Sequence, residues 1–387
     1  MENKKDVLYT WLKERIRLIS RGIIMPRRKG VPVFNLQERR GGVGPQGKIL
    51  YWTFDKSLGF RSIFLPVYSD EYYFAKYSIP TKFGEKKGTL ITDDGIILKG
   101  VQKPKFIAMA TSDGTPIVTL GGMHGNRTYT TNLCWRCRYF EEDTECKFCT
   151  IDKRKEYYNL SEFISDNKLI EAIRIATKVQ NIRSITSTIA TFDDPDIVAE
   201  RYIEFLKKLK KTVHISVLVQ LEPVKNLDLI KELSIYSEAI GIFLEIWDEE
   251  KRKEICPGKS AIPKDRYIEN WKYAVKYYGW RNVGTTTILG FDEDYDKLIR
   301  EIEEYAKIGV RTSLIFLRPG SENLKGYVPS YVNRDIAELV DLHIEVAKIY
   351  QKYDLDFRFN VGVGCSGCMN CSAMYEAAEY VRGVKQK

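Results

Sequence analysis

From residue 127 onward the chain alternates between two periodicities, and that alternation constrains its fold more than any other feature. The apolar, β-branched runs "NRTYTTNL", "RSITSTIAT", "TVHISVLVQL", "AIGIFLEIW", "NVGTTTILGF" and "VRTSLIFLR" are separated by segments with apolar residues at i, i+3 and i+4, and "DFRFNVGVG" closes the series. Runs apolar on both faces read as parallel strands covered by helices on one side and core on the other. Six such units and a closing strand predict an α/β fold, a parallel (β/α) barrel, partial or complete, over residues 127–362. No Gly-x-Gly-x-x-Gly follows the first run, which argues against a dinucleotide fold.

Residues 1–126 have a different style. An amphipathic segment, "VLYTWLKERIRLI", predicts an N-terminal helix, and Asp-Gly within "GTLITDDGIILKG" and "FIAMATSDGTPIVTLGG" predicts hairpins of a small β-rich region. Residues 363–387 form a separate cysteine-rich tail. No run approaches the ~18 apolar residues of a membrane span, and the opening "MENKKDVLYTWLKER" has no apolar signal-peptide core. The expectation is a cytoplasmic protein in a reducing compartment, with no membrane partner. Clustered cysteines there read as metal ligands or catalytic groups before disulfides. The net charge of +9 points to an acidic partner, nucleic acid or an acidic protein.

Four of the eight cysteines, Cys134, Cys137, Cys146 and Cys149, lie between the first strand and its helix. Three chemistries suit them. A structural zinc site would use four thiolates in two C-x2-C pairs, a redox pair would need a thioredoxin-like setting that is lacking, and an iron–sulfur cluster would need three. The strand's C-terminal end is the active-site side of a barrel, which favours the third. A second group, Cys365, Cys368 and Cys371, is spaced C-x2-C-x2-C after the closing strand, as iron–sulfur ligands are. A zinc knuckle there would need a fourth ligand. His124, His214 and His343 are all distant in sequence, leaving Ser366, Ser372, Cys256 or a substrate thiol as fourth ligand.

Thr131-Asn132-Leu133-Cys134 together with Cys146-Lys-Phe-Cys149 resembles the cysteine loop of the radical SAM superfamily. The usual C-x3-C-x2-C becomes C-x8-C-x2-C counted from Cys137, or C-x11-C-x2-C counted from Cys134, so the first ligand stays open between them. Ile288-Leu-Gly290-Phe-Asp-Glu293 is similar to that superfamily's I-x-G-x-x-E motif on the adenine side. Where the family has a Gly-Gly-Glu-like platform this chain has Ser187, Thr188 and Thr191. Gln220 and Glu222 stand at the third strand end, in the place of a ribose contact. Glu245 and Asp248 follow the fourth strand, and Arg318, suited to a carboxylate or phosphate, ends the sixth.

The resemblance implies a [4Fe-4S] cluster on Cys146, Cys149 and one of Cys134 or Cys137, with one iron open to S-adenosyl-L-methionine. It also implies a second [4Fe-4S] cluster on the tail and a reductant such as ferredoxin or flavodoxin. The two-cluster layout is similar to the biotin synthase-related branch, including the archaeal-type lipoyl synthases that act as two proteins. That branch implies sulfur insertion into an unactivated C–H of an octanoyl chain borne by an acidic carrier, with a second radical SAM protein as partner. Modification of tRNA or a peptide is an alternative within the superfamily. Outside it stands a zinc-knuckle nucleic-acid-binding protein, suggested by "CWRCRYF" but opposed by the four acids of "FEEDTEC".

Overall fold

A computed structural model describes residues 4–24, 37–38, 47–53, 61–68, 83–86, 89–92, 95–100, 104–124, 127–157, 161–318, 321–356, 362–364, 368 and 370–385. Its strands are β1 (Ile23–Ile24), β2 (Gln37–Glu38), β3 (Gly47–Thr53), β4 (Arg61–Tyr68), β5 (Phe83–Lys86), β6 (Thr89–Thr92) and β7 (Ile97–Gly100). The others are β8 (Gly121–His124), β9 (Thr128–Asn132), β10 (Ser184–Thr188), β11 (Ser216–Leu221), β12 (Ala239–Ile242), β13 (Val283–Leu289) and β14 (Val310–Phe316). They form two sheets, one in the order β1-β4-β3-β7-β6-β5 with β2 on β3, the other in the order β14-β13-β12-β11-β10-β9-β8.

The second sheet is the partial (β/α) barrel. Strands β9 to β14 pair in parallel with their sequence neighbours, and all five residues of β9 and all four of β12 are buried. The intervening helices end where their sequences say they should. Asp194 accepts from Asp196 N ahead of Pro195, starting the helix Pro195–Lys210. Asp335 and Glu338 form a reciprocal capping box for the helix Ile336–Lys352. The closing strand expected over "DFRFNVGVG" falls mostly outside the described residues.

The hairpin in "GTLITDDGIILKG" is present, with β6 antiparallel to β7. The one expected in "FIAMATSDGTPIVTLGG" is reduced to a turn. Thr111 N bonds Thr115 O at 2.9 Å, and a single antiparallel bridge joins Ala110 to Pro116. Asp113 Oδ1 accepts from Thr111 Oγ1 and Thr115 N, closing a local side-chain turn, and Pro116 then leads into the helical turn Ile117–Leu120. That turn delivers β8, a four-residue antiparallel edge on β9.

The N-terminal unit is bolted to the tail. The helix Lys4–Arg21 lays Leu8, Trp11, Leu12, Ile16 and Ile19 into one core with Trp52, Leu65, Met374 and Ala377. At its centre Arg15, 1% exposed, donates to Ser62 O (3.0 Å), Asn370 O (3.2 Å) and Ser372 O (3.3 Å), with Glu376 3.6 Å away. Phe64 N also bonds Asn370 O, and Ser62 Oγ bonds Asn370 Oδ1. Just upstream, Val363 packs with Leu218 and Ala239. Gly364 has φ +57°, and a Cβ there would stand 2.5 Å from Leu218 Cβ, so only glycine passes. His343 is buried in the core, its Nδ1 at Leu339 O and its ring stacked on Phe316.

Arg15→Met should cost about 3–5 kcal/mol, because it strands three buried carbonyls and the Glu376 carboxylate at once. Denaturant melts of wild type and variant measure this, and a change below about 1 kcal/mol would mean that the bolt carries little of the fold.

Candidate metal centre

Backbone bonds set the loop after β9 on the end of β10. Leu133 N donates to Thr188 O, Ala190 N to Cys134 O and Arg138 N to Thr191 O, at 3.0, 3.2 and 2.8 Å. Ser187 is fully buried within β10. Cys134 prolongs the strand direction by a bridge to Phe163. Its Sγ accepts from Arg136 N at 3.3 Å, and burial pushes its pKa up to about 11. The chain then turns, and the next three cysteines converge. Burial pushes Cys137 up to about 11, with Cys146 and Glu222 adding to it. Burial likewise raises Cys149, reinforced by Cys146, and Cys149 N bonds Cys146 O at 2.9 Å. Cys137, Cys146 and Cys149 lie in one another's electrostatic field, Cys134 lies in that of Cys137, and the Cys134 sulfur also meets the backbone of Arg136.

A second loop presses on the first. Lys147 N donates to Ile255 O at 2.8 Å and Gly258 N to Thr144 O at 2.9 Å. Gly258 has to be glycine, since a Cβ would stand 2.3 Å from Tyr139 Cδ1 and 2.8 Å from Thr144 O. The stitching places Cys256, fully buried, beside Cys146. The two sulfurs and a Glu245 carboxylate oxygen lie within 4.8 Å of one another. A hydrogen bond that the Cys146 thiol donates to Cys256, then burial, hold the Cys146 pKa well above its ordinary value. Sequence left Cys256 as a candidate fourth ligand for the tail group, but the fold puts it here.

Sequence reasoning missed Lys259. Its Nζ sits 2.7 Å from Glu245 Oε2 and 3.8 Å from Glu222 Oε1, and Glu222 Oε2 accepts from Tyr139 Oη at 2.9 Å. Burial would lower the lysine pKa, yet Glu245, Cys146 and Glu222 together raise it well above its ordinary value, so it stays a cation. Glu245 holds φ +64°, unusual for a non-glycine residue, pinned by Glu245 N to Thr286 O and Ile288 N to Glu245 O. The only sequence signal for Lys259 is a lysine in "CPGKS" after the fourth strand.

The I-x-G-x-x-E motif is a self-closed turn. Glu293 Oε1 accepts from Gly290 N (2.7 Å) and Phe291 N (2.6 Å). Gly290 has φ +131° and lies so close to Pro329 and Leu317 that a Cβ would sit 3.0 and 3.1 Å from theirs. Ile288 is buried in β13. Beside this turn a cavity of about 350 Å³ runs between the ends of β12 and β13, with Ile246, Trp247, Ile288, Phe291 and Glu293 in its wall. Asp248 caps the helix Glu249–Ile255 through Lys251 N, and Gln220 is half-buried in β11.

Arg318 is buried with its guanidinium 4.2 Å above the Phe64 ring. Phe64 in turn packs on Cys371. Cys371 and Cys368 are half-buried and lie in the field of Arg15. Cys365 lies outside the described residues. Cys134, Cys137, Cys146, Cys149 and Cys256 form no disulfide.

Buried and half-buried thiols brought near one another by two stitched loops are a donor set for a soft metal ion or an iron–sulfur cluster. The lysine and two carboxylates beside them supply charge complementary to an amino acid. Glu222 Oε1 is buried and takes no hydrogen bond from the described residues, so the pocket retains an unused acceptor.

Residues 136–320 match the radical SAM superfamily model and form a domain of that superfamily. The match begins beyond Cys134 and takes in Cys137, Cys146, Cys149, Cys256 and Lys259. The superfamily implies a [4Fe-4S] cluster and S-adenosylmethionine. Among solved structures, the FeFe-hydrogenase maturase HydG from Carboxydothermus hydrogenoformans is similar with a TM-score of 0.46 and 16% identity over 60% of this chain and 53% of that one. Methylornithine synthase (PylB) is similar with a TM-score of 0.45 and 15% identity over 65% of this chain and 70% of that one. The chain therefore spans about half the length of the hydrogenase maturase. No curated protein matched the chain. Among the described residues, no helix is long and apolar enough to cross a membrane.

Lys259→Met should destabilise the protein by about 1–3 kcal/mol, since it leaves the buried Glu222 and the half-buried Glu245 without their cation. Adding Glu245→Gln should recover part of that loss. Thermal melts of Lys259→Met, Glu245→Gln and the double variant check this, and a double loss equal to the sum of the two single losses would show that the pair is not coupled.

Proposed function

We propose that the protein is a radical SAM enzyme whose cluster is held by Cys137, Cys146 and Cys149. The observation that carries this reading is that Cys137, Cys146 and Cys149, the second buried and the other two half-buried, lie in one another's field after β9, within the matched domain and with Cys146 in the field of Lys259. When bound, a four-iron cluster with one open iron lets S-adenosylmethionine chelate, and reduction then releases a 5′-deoxyadenosyl radical.

The chain's own residues have three tasks in this scheme. Lys259, held by Glu245 and Glu222, is the cation placed to attract the carboxylate of the methionyl group. Glu222, oriented by Tyr139, keeps an acceptor oxygen for a hydroxyl or ammonium donor. Trp247, Phe291 and Ile288 offer the apolar faces that a purine needs, and the Glu293 turn keeps that wall rigid. Burial of the thiol nest also keeps water from a reactive radical.

The finer reading is sulfur insertion into an unactivated C–H, lipoyl synthase-like, with a carrier-borne acyl chain as substrate and a second iron–sulfur cluster on Cys365, Cys368 and Cys371. What supports it is the tail's cysteine spacing and its seat on the Phe64–Arg318 stack. The stack connects the tail to a residue at the end of β14.

Anaerobic purification should give a brown protein with about eight irons per chain, as two four-iron clusters require. Cys146→Ala should abolish 5′-deoxyadenosine formation from S-adenosylmethionine under dithionite. Cys137→Ala should do the same, whereas Cys134→Ala should keep most of it. Cys368→Ala should remove about half of the iron. With an octanoylated carrier, product mass should show added sulfur. A colourless protein carrying zinc, or undiminished cleavage in Cys146→Ala, would overturn the assignment.

A further inference from the structure

We propose that Cys146 and Cys256 form a reversible disulfide when the metal centre is empty, with Cys256 as the resolving thiol for a peroxide-oxidised Cys146. The pairing stands on the geometry of two loops. Its consequence, that oxidation withdraws one cluster ligand and keeps it recoverable, rests on the reading above.

Backbone bonds set the two cysteines face to face. Lys147 N donates to Ile255 O at 2.8 Å, one position past Cys146 and one short of Cys256. Gly258 N donates to Thr144 O at 2.9 Å, two positions past Cys256 and two short of Cys146. Segments bonded in this crossed order run antiparallel, and the positions between the bonds oppose each other. Opposed antiparallel positions meet the Cα span of about 4.4–6.8 Å that a disulfide bridges. Gly258 lets the loops approach this closely, since a Cβ there would stand 2.3 Å from the Tyr139 ring. The side chains agree with the backbone. The two sulfurs lie within 4.8 Å of each other, and the Cys146 thiol donates a hydrogen bond to Cys256. Cys137 and Cys149 meet Cys146 through its field.

Exposure assigns the roles. Cys146 keeps 8% of its surface open and Cys256 none, so an oxidant as small as hydrogen peroxide meets Cys146 first. One peroxide oxygen transfers to the Cys146 sulfur, giving a sulfenic acid and one water. The Cys256 sulfur then attacks the oxidised sulfur. The S–S bond forms, the S–O bond breaks, and the departing hydroxide takes the Cys256 proton as a second water. Two electrons thus pass from two thiols to one peroxide. A dithiol reverses the step by exchange, restoring both thiols and leaving as its own cyclic disulfide. A metal held by Cys146 occupies the sulfur that the bond needs, so the disulfide belongs to the empty centre. Without a neighbouring thiol, further peroxide would carry Cys146 to a sulfinic acid that no dithiol restores.

The test uses the full chain, purified without oxygen and freed of metal by a chelator, beside Cys256→Ala and Cys256→Ser prepared in the same way. Each is treated with hydrogen peroxide, alkylated, and mapped by mass spectrometry before and after dithiothreitol. In the wild type the expectation is a peptide pair joined through Cys146 and Cys256, with most of Cys146 returned to a free thiol by dithiothreitol. In both variants that recovery should fall by about threefold or more, because Cys146 goes on to the sulfinic acid. Absence of the link, a link from Cys146 to Cys149 or Cys137 in its place, or equal recovery in wild type and variants would overturn the inference. The iron and zinc contents of the wild type before chelation judge the cluster reading separately. Zinc there removes that reading and leaves the disulfide to be decided by the same map.

Discussion

Everything at the candidate site depends on the shared direction of six hydrogen-bonded strands. Parallel pairing from β9 to β14 means that all six chains leave the sheet on one rim, so residues separated by more than a hundred positions become neighbours without any long-range search of their own. Cys137 after β9, Glu222 after β11 and Glu245 with Lys259 after β12 meet for this reason. The sheet supplies direction, and short loops supply chemistry.

Charge at that rim is organised in pairs. A lysine buried next to thiols and carboxylates is stable only because two acids answer it, and the acids are tolerable there only because of the lysine. Such an arrangement holds polar groups in water-poor surroundings, where electrostatic attraction is strong and reorganisation is small. The tail repeats this design on a smaller scale, with Arg15 answering Glu376 and three backbone carbonyls.

The barrel was legible in the sequence because its signal is local. Apolar alternation and capping residues such as Asp194, Asp335 and Glu338 act within a few positions of themselves. The hairpin expected around Asp113-Gly114 shows where local signals compete, for the side chain of Asp113 closes its own turn and Pro116 starts a helical one. The four cysteines were visible as a group, but how their loop lies against the end of β10 is set by backbone bonds that no spacing reveals. Lys259, and the place of Cys256 beside Cys146 rather than at the tail, were beyond reach for the same reason, since each gains meaning from a partner on another strand end. In the I-x-G-x-x-E turn the glutamate was readable as a motif, while its task of clamping its own backbone emerged only from hydrogen bonds.

The Arg15 bolt joins residues 355 and 357 positions apart, at Asn370 and Ser372. The guanidinium meets Ser62 O early in the chain but Asn370 O and Ser372 O only across a very long loop, and the helix's apolar face likewise lacks Met374 and Ala377 until that loop has closed. Contacts of such separation form late in folding, so the clasp couples the helix Lys4–Arg21 to the segment around Asn370 as a closing step.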